Sequence, residues 1–196
     1  MGCCNSKGGE STANRIARWR STGIVALRDS KLKIVPNEIF DLEKSVRTLD
    51  VTHNKIVDIP VAIFKLTNMQ RLLLLLNVSN NKLKSLPESI GSCFSLEELQ
   101  ANGNLIDDLP SSICNLVYLK SLCLDNNNVY QIPHNLLKDC KALQNISLHD
   151  NPISMDQFQQ MEGFREFEAR RKKKFDKQID SNVMISSKGL DEGVDL

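Results

Sequence analysis

Motifs that mark an enzyme or a metal site are scarce in this sequence of 196 residues. It has no glycine-rich phosphate loop, no HExxH motif and no GxSxG motif, and its three histidines lie in separate segments. The six cysteines form neither a CxxC pair nor a paired framework, which disfavours zinc and disulfides and favours reduced thiols. We therefore expect a non-catalytic protein without a metal or another cofactor.

A secretory signal and a membrane-spanning run are also missing. The first twenty residues carry four basic side chains and no apolar core segment. The leucine run from Leu72 to Leu76 is too short for a bilayer, which requires about 20 apolar residues. These absences favour an intracellular protein over a secreted or receptor-type one.

What the sequence does contain is a repeat of about 23 residues. Five prolines, each preceded by an aliphatic residue, recur at intervals of 24, 27, 23 and 23 residues; they are Pro36, Pro60, Pro87, Pro110 and Pro133. Each repeat also has two apolar residues two positions apart, which point the same way from a short strand. Parallel stacking of such strands predicts a solenoid with one continuous core.

An asparagine follows each of these predicted strands, except that Ser30 takes its place in the first repeat. The asparagines are Asn54, Asn81, Asn104, Asn127 and Asn151. Their side-chain amides can satisfy backbone groups where the strand ladder ends, so the sequence predicts a stacked asparagine ladder.

About six repeats are predicted over residues 22–155, and the third is irregular. Counted from Met69, this repeat has a surplus of four residues, which lies within Leu72 to Asn77. One register starts the repeat at Met69 with a bulge, and the other starts it at Leu73. Periodicity leaves both registers open.

Helices are predicted to close both ends of the repeats. Ser11 can cap a helix over residues 11–21, whose Trp19 would cover the first strand. Helical spacing of apolar residues predicts a basic capping helix over residues 156–177. The acidic tail, residues 178–196, lacks periodicity and is expected to be disordered.

The frame LxxLxLxxNxLxxLPxxIxxL, as in Leu96 to Leu116, resembles the intracellular Ras-group class of leucine-rich repeats, over residues 22 to about 153. With the MGCCNS start and the segment GFREFEARRKKKF, the chain is similar to plant intracellular Ras-group-related proteins and to the small lipid-anchored type of leucine-rich repeat-containing protein fifty-seven. The resemblance implies an α/β fold, a right-handed curved β-α solenoid, and protein binding at the cytoplasmic face of membranes without known catalysis. This chain departs from that pattern in having fewer repeats.

Residues 1–10 match the pattern for N-myristoylation. Removal of Met1 would expose Gly2 for acylation, and Ser6 satisfies the remaining position of the motif. Adjacent Cys3 and Cys4 could then accept palmitate, which matters because a single acyl chain anchors a protein only marginally. We expect a flexible, lipid-anchored terminus, with an unmodified protein of the cytoplasm as the alternative.

A run of five basic residues lies in the predicted C-terminal helix. Its members are Arg170, Arg171, Lys172, Lys173 and Lys174. They could favour an anionic membrane surface by about 1 kcal/mol each. The same run could act in nuclear import, or form a solvated helix face stabilised by Glu166 and Glu168.

A partner is expected on the concave strand face, where the side chains between core positions point outward. The residues predicted there are Arg28, Asp50, Thr52, Glu98, Gln100, Asn102, Ser121, Asp125, Asn145, Ser147 and His149. This strip is polar and somewhat acidic, which disfavours nucleic acid and favours a protein surface. The predicted function is a monomeric scaffold that binds a small GTPase or another signalling protein; the alternative is a soluble cytosolic or nuclear adaptor, for example a phosphatase-regulatory subunit.

Overall fold

Parallel strands form a single sheet in the order in which they occur along the chain. The computed structural model describes residues 11–42, 45–65, 74–180 and 194–195. The strands are β1 (Ile24–Ala26), β2 (Thr48–Asp50), β3 (Leu75–Asn77), β4 (Glu98–Gln100), β5 (Ser121–Cys123), β6 (Asn145–Ser147) and β7 (Val194–Asp195). This confirms the predicted α/β solenoid of leucine-rich repeats.

Each of the first six strands has three residues, and its central side chain is buried in the core. The chain that connects each strand to the next forms a return segment on the opposite side of the solenoid. Short helices on these return segments supply the rest of the core. They are the 3₁₀ helices Asn37–Leu42, Glu88–Ser92 and Ser111–Asn115, with α2 (Ala62–Lys65) and α3 (Leu136–Asp139) in equivalent places. Pro87 and Pro110 immediately precede two of them, at φ −72° and −64°. Proline suits this position because its fixed φ is compatible with a helix start, and its missing N–H costs no hydrogen bond there.

The predicted asparagine ladder is present along the edge of the repeats. Asn104 shows its geometry: Oδ1 accepts a hydrogen bond from the backbone N–H of Leu83 at 3.1 Å, and Nδ2 donates to the carbonyls of Ala101 and Val78 at 3.0 and 3.1 Å. One amide thereby satisfies backbone groups of its own repeat and of the preceding one. Beyond the ends of the strands, the ladder holds neighbouring repeats together alongside backbone hydrogen bonds such as that from Leu105 N–H to the Leu83 carbonyl at 2.8 Å.

Strand β3 settles the register of the irregular third repeat. Leu76 pairs with Leu49 of β2 and with Leu99 of β4, so the repeat starts at residue 73, the second of the two registers that the sequence allows. In this register Leu75 and Asn77 of β3 point outward, on the same side of the sheet as the polar residues predicted to bind a partner. Residues 66–73, where the surplus begins, lie outside the described ranges.

Helix α1 (Thr12–Thr22) covers the N-terminal end of the solenoid. Ser11 caps it through a hydrogen bond from the backbone N–H of Asn14, and Gly23 ends it in the left-handed conformation at φ 71°. Trp19 is buried in the core, and Arg15 forms an ion pair with Glu38 of the first repeat. These contacts fix the cap to the first return segment.

The C-terminal cap differs from the single helix predicted over residues 156–177. The structure has α4 (Met155–Gln159) and α5 (Phe164–Asp180), and Gly163 lies at the break with φ 87°. A positive φ ends one helix before the next begins, which apolar spacing cannot reveal. Phe158 of α4 and Phe167 of α5 pack edge to face, with ring centroids 6.1 Å apart.

The acidic tail also departs from the prediction of disorder over residues 178–196. Helix α5 continues to Asp180, and Val194–Asp195 form β7, which pairs in parallel with Ile146 and Ser147 of β6. A strand edge exposes unpaired backbone groups, and β7 satisfies part of that edge. Residues 181–193 and 196 are outside the described ranges.

Candidate protein-interaction surface

The outward side chains of strands β1 to β6 form one continuous surface, which we call the strand face. The strand register aligns them in three rows. The first row contains Ile24, Thr48, Leu75, Glu98, Ser121 and Asn145; the second contains Ala26, Asp50, Asn77, Gln100, Cys123 and Ser147. A third row follows just after the strands, with Arg28, Thr52, Ser79, Asn102, Asp125 and His149. The structure thus brings together all eleven residues predicted for this face.

At the N-terminal end, Asp50 is the centre of a hydrogen-bonded group. Its carboxylate accepts from Nε of Arg28 at 2.6 Å and from the hydroxyl and backbone N–H of Thr52 at 2.5 and 3.1 Å. Burial opposes ionisation of Asp50, but these donors outweigh it, so the pKa of Asp50 lies below its usual value. Asp50 therefore holds the local structure, and most of the exposed surface here belongs to Arg28.

The middle of the strand face is connected by amide side chains. Nδ2 of Asn77 donates to Oε1 of Gln100 at 2.7 Å, and Oδ1 of Asn77 accepts from the backbone N–H of Ser79 at 3.0 Å. Farther along, Oδ1 of Asn102 accepts from the backbone N–H of Asp125 at 2.9 Å. The bonds from Asn77 to Gln100 and from Asp125 to Asn102 cross repeat boundaries, and all three bonds fix side chains before any partner binds.

At the C-terminal end, Asp125 and Asn145 organise the surface. Oδ1 of Asp125 accepts from the hydroxyl of Ser147 at 2.6 Å and from the backbone N–H of His149 at 2.9 Å. Nδ2 of Asn145 donates to Oγ of Ser121 at 3.1 Å. Oδ1 of Asn145 is buried and has no hydrogen-bond partner in the described part of the chain.

A hollow of about 420 Å³ opens on this part of the strand face. Side chains of β4, β5 and β6 form its floor, and Lys174 of α5 also lines it. Lys174 belongs to the basic run, for which the sequence predicts a membrane role. Its position at the strand face depends on how α5 packs, so spacing alone could not reveal it.

Seven residues of the strand face are absent from the predicted set: Ile24, Ala26, Thr48, Ser79, Cys123, Leu75 and Asn77. For Leu75 and Asn77 the cause is the leucine run before them, which admits either register of the third repeat. Alignment of the third repeat with the fourth, from Leu73 and Leu96 onward, is the signal that could have found them.

Some side chains of the basic run contact the rest of the fold, and others are exposed to solvent. Nε and Nη2 of Arg170 donate to the carbonyls of Leu143 and Leu137 at 2.9 and 3.0 Å, and burial lowers the pKa of Arg170. Arg171 pairs with Glu168 at 3.4 Å, and its guanidinium lies 5.7 Å from the ring centre of Phe175. Lys172 and Lys173 are exposed. The predicted lipidation residues Gly2, Cys3 and Cys4 lie outside the described ranges.

Within the described ranges, no group of three or more histidine, cysteine, aspartate or glutamate side chains could hold a metal ion. No helix in those ranges combines the length and the apolar character that crossing a bilayer requires.

Comparison with known proteins agrees with the repeat frame. The family model for the leucine rich repeat matches residues 44–106. Plant intracellular Ras-group-related LRR protein 7 of Oryza sativa subsp. japonica is 54% identical, and the alignment covers 100% of both chains. The chain belongs to the plant intracellular Ras-group-related leucine-rich-repeat family. That alignment runs over 265 positions against 196 residues here, so the rice protein has segments without a counterpart in this chain.

A second member of this Ras-group-related family and a solved structure extend the comparison. Plant intracellular Ras-group-related LRR protein 8 of the same rice is 31% identical over 92% of this chain, which spans 66% of that protein. The LRR ectodomain of the Arabidopsis thaliana receptor kinase GASSHO1/SCHENGEN3 superposes with a TM-score of 0.55 at 29% identity, over 64% of this chain and 15% of the ectodomain. Proteins built from such repeats are generally non-catalytic interaction modules. The chain is accordingly a leucine-rich-repeat scaffold for protein interaction.

Proposed function

We propose that this scaffold is held at the cytoplasmic face of a membrane by N-terminal lipids and binds a signalling protein on its strand face. The observation that carries the binding part is the continuous polar strand face, whose side chains are fixed by hydrogen bonds between repeats. Side chains that are ordered before binding lose less conformational entropy when a partner docks. Such a surface favours specific recognition over plain solvation.

The solved relative supports the use of these repeats for ligand binding. Its structure was determined in complex with CASPARIAN STRIP INTEGRITY FACTOR 2, so that protein's repeat domain takes a partner. A small GTPase or another signalling protein with a basic or mixed surface would suit a strand face that presents Glu98 and Asp125.

The proposed anchor combines two N-terminal acyl chains with basic side chains of helix α5. Myristate on Gly2 would supply the first, and palmitate on Cys3 or Cys4 the second, which together give stable membrane attachment. The exposed Lys172 and Lys173 can add attraction to anionic lipid of about 1 kcal/mol each. Arg170 is engaged with backbone carbonyls and is excluded from this contribution.

Membrane fractionation tests the anchor. The full chain and its Gly2→Ala variant are expressed in plant cells, and the mass of the N-terminal peptide is determined. Gly8→Ala is the matched control, because it changes a glycine of the same segment outside the acylation pattern. We expect an acylated, membrane-bound parent and control, and a soluble Gly2→Ala variant. An unmodified terminus with all three forms soluble would favour the soluble cytosolic or nuclear adaptor.

The binding surface is tested separately by proximity labelling with strand-face variants. Gln100→Arg places a long cation in the middle of the strand face, whereas Gln131→Arg makes the same change at an exposed position on a return segment. We expect a specific labelled partner of the parent to be lost with Gln100→Arg and retained with Gln131→Arg. Equal labelling by both variants would show that the partner docks elsewhere.

A further inference from the structure

We propose that the hollow beside Asn145 receives a cationic, hydrogen-bond-donating side chain, an arginine or a lysine, from the protein partner, and that Lys174 opposes its entry. This inference rests on the proposed binding function of the strand face and specifies the chemistry of one subsite. The unpaired amide oxygen of Asn145, the charge of the lining and the position of Lys174 support it.

The first observation is the unpaired amide oxygen. Asn145 is only 8% exposed, its Nδ2 is bonded to Oγ of Ser121, and its Oδ1 has no partner within the described residues. Buried polar atoms in folded proteins almost always have a hydrogen-bond partner. An acceptor left open at the wall of a hollow indicates a place for a donor.

The second observation is that the two donors beside this acceptor are already used. The hydroxyl of Ser147 donates to Asp125, and Nδ2 of Asn145 donates to Oγ of Ser121 at 3.1 Å and to Sγ of Cys123 at 4.0 Å. The bonds from Ser147 and the backbone of His149 hold the Asp125 carboxylate in one orientation. A guest that pairs with Oδ1 of Asn145 or with the Asp125 carboxylate must therefore donate a hydrogen bond.

The third observation is the charge of the lining. Glu98 and Asp125 contribute two carboxylates, and Lys174 contributes one ammonium group. An acidic guest would face two like charges, whereas a guanidinium or ammonium group pairs favourably with them. A hollow of about 420 Å³ has ample room for one long side chain.

Lys174 places a positive charge of the chain itself at the subsite. It reaches the hollow from α5, and its Nζ lies 6.0 Å from the ring centre of Phe175. Its charge has the same sign as that of the proposed guest. Removing that charge should strengthen binding of a cation, while removing the adjacent exposed charge of Lys173 should not.

The experiment is an NMR titration of the ¹⁵N-labelled full chain with N-acetyl-arginine-N-methylamide. The probe's neutral counterpart is N-acetyl-citrulline-N-methylamide, and N-acetyl-glutamate-N-methylamide tests the opposite charge. We expect the arginine probe alone to shift the side-chain amide signals of Asn145 and the backbone signal of Ser147. Asp125→Asn should weaken binding about tenfold, the typical effect of one charge-assisted hydrogen bond.

Three variants make the test independent of folding defects. Glu98→Gln alters an exposed side chain and should weaken binding of the arginine probe several-fold. Lys174→Ala should strengthen binding of this probe, and Lys173→Ala should leave it unchanged. Binding of the glutamate probe, or weaker arginine binding in Lys174→Ala, would overturn the inference. So would shifts that are equal for the arginine and citrulline probes.

The proposed cation subsite and the proposed docking of a partner on the strand face can be contradicted independently. If Gln100→Arg abolishes partner labelling but the arginine probe leaves Asn145 unshifted, the strand face binds its partner and the subsite chemistry is wrong. If the probe binds as expected but Gln100→Arg retains the partner, the cation subsite stands and the proposed docking surface is wrong.

Discussion

Arg28 directs both Nε and Nη2 to the same oxygen of Asp50, at 2.6 and 2.5 Å. The two partners differ greatly in exposure: the Arg28 side chain is 65% exposed, whereas that of Asp50 is 4% exposed. Asp50 thus carries most of the desolvation cost of the pair, and the donors of Arg28 and Thr52 compensate for it. The pair joins the first repeat to the second on the strand face.

Asp50→Asn is expected to lower the free energy of unfolding at neutral pH by about 1 to 2 kcal/mol, because a charge-assisted hydrogen bond is weakened. The pKa of Asp50 is depressed in the folded state. Its stabilisation is therefore present above the unfolded pKa, near 4, and is lost as pH falls through the folded pKa. Urea unfolding of parent and variant at several pH values should show the difference shrinking under acid conditions. Asp107→Asn, at an exposed position, is the control and should change stability by less than about 0.5 kcal/mol.

Three consecutive asparagines allow a sharp test of the ladder. Asn127 is buried; its Oδ1 accepts from the backbone of Ile106 at 3.1 Å, and its Nδ2 donates to the carbonyls of Leu124 and Ala101 at 2.8 and 3.0 Å. Asn127→Ala leaves these buried groups unpaired and should cost about 3 kcal/mol or more. Asn128→Ala, at an exposed position, should change stability by less than about 0.5 kcal/mol. Similar unfolding midpoints for the two variants would contradict the ladder's role.

The core and the ladder follow from sequence because strand geometry fixes their spacing. Leu99, Ala101 and Asn104 repeat as Leu122, Leu124 and Asn127, and each set occupies the same places in the structure. The register of the third repeat is harder to predict from spacing, because every residue of its leucine run could occupy an apolar core position. In the structure, the pairing of Leu76 with Leu49 and Leu99 selects the register.

The candidate site is harder to foresee than the fold. Asn145 occupies the same row as Glu98 and Ser121, yet it alone of the three is buried. Lys174 reaches the same hollow from α5, whose course depends on the break at Gly163. Repeat periodicity predicts which residues point outward, but not how the cap packs over the last repeats.

Gly163→Ala tests that break directly. Gly163 has φ 87°, and an added Cβ would lie 2.7 Å from the backbone nitrogen of Lys138. The strain and the backbone clash should lower stability by about 2 to 4 kcal/mol. Gly103→Ala is the matched control: its φ is 63°, but the added Cβ would meet the end of the Asn80 side chain, which can move. We expect thermal unfolding to show a smaller loss for Gly103→Ala, about 1 kcal/mol.

The division within the basic run predicts two separable effects. Arg170→Gln removes bonds to the carbonyls of Leu143 and Leu137 and should destabilise the fold by about 1 to 2 kcal/mol. The double change of Lys172 and Lys173 to Gln should leave thermal stability nearly unchanged. It should instead weaken binding to vesicles that contain phosphatidylserine, measured by sedimentation, by about 30-fold for two lost charges. Equal vesicle binding by parent and double variant would remove this helix from the proposed anchor.

Thiol reactivity distinguishes the cysteines of the core from those nearer the surface. Cys93 and Cys140 are buried, and burial raises the pKa of each thiol to about 12. Since the thiolate is the reactive form, both should resist iodoacetamide at pH 8 in the folded protein and react in urea. Cys123 lies half-buried on the strand face and should be alkylated earlier. Peptide mass spectrometry at successive times measures the order. Early modification of Cys93 or Cys140 would mean that the repeats open locally far more often than a packed core allows.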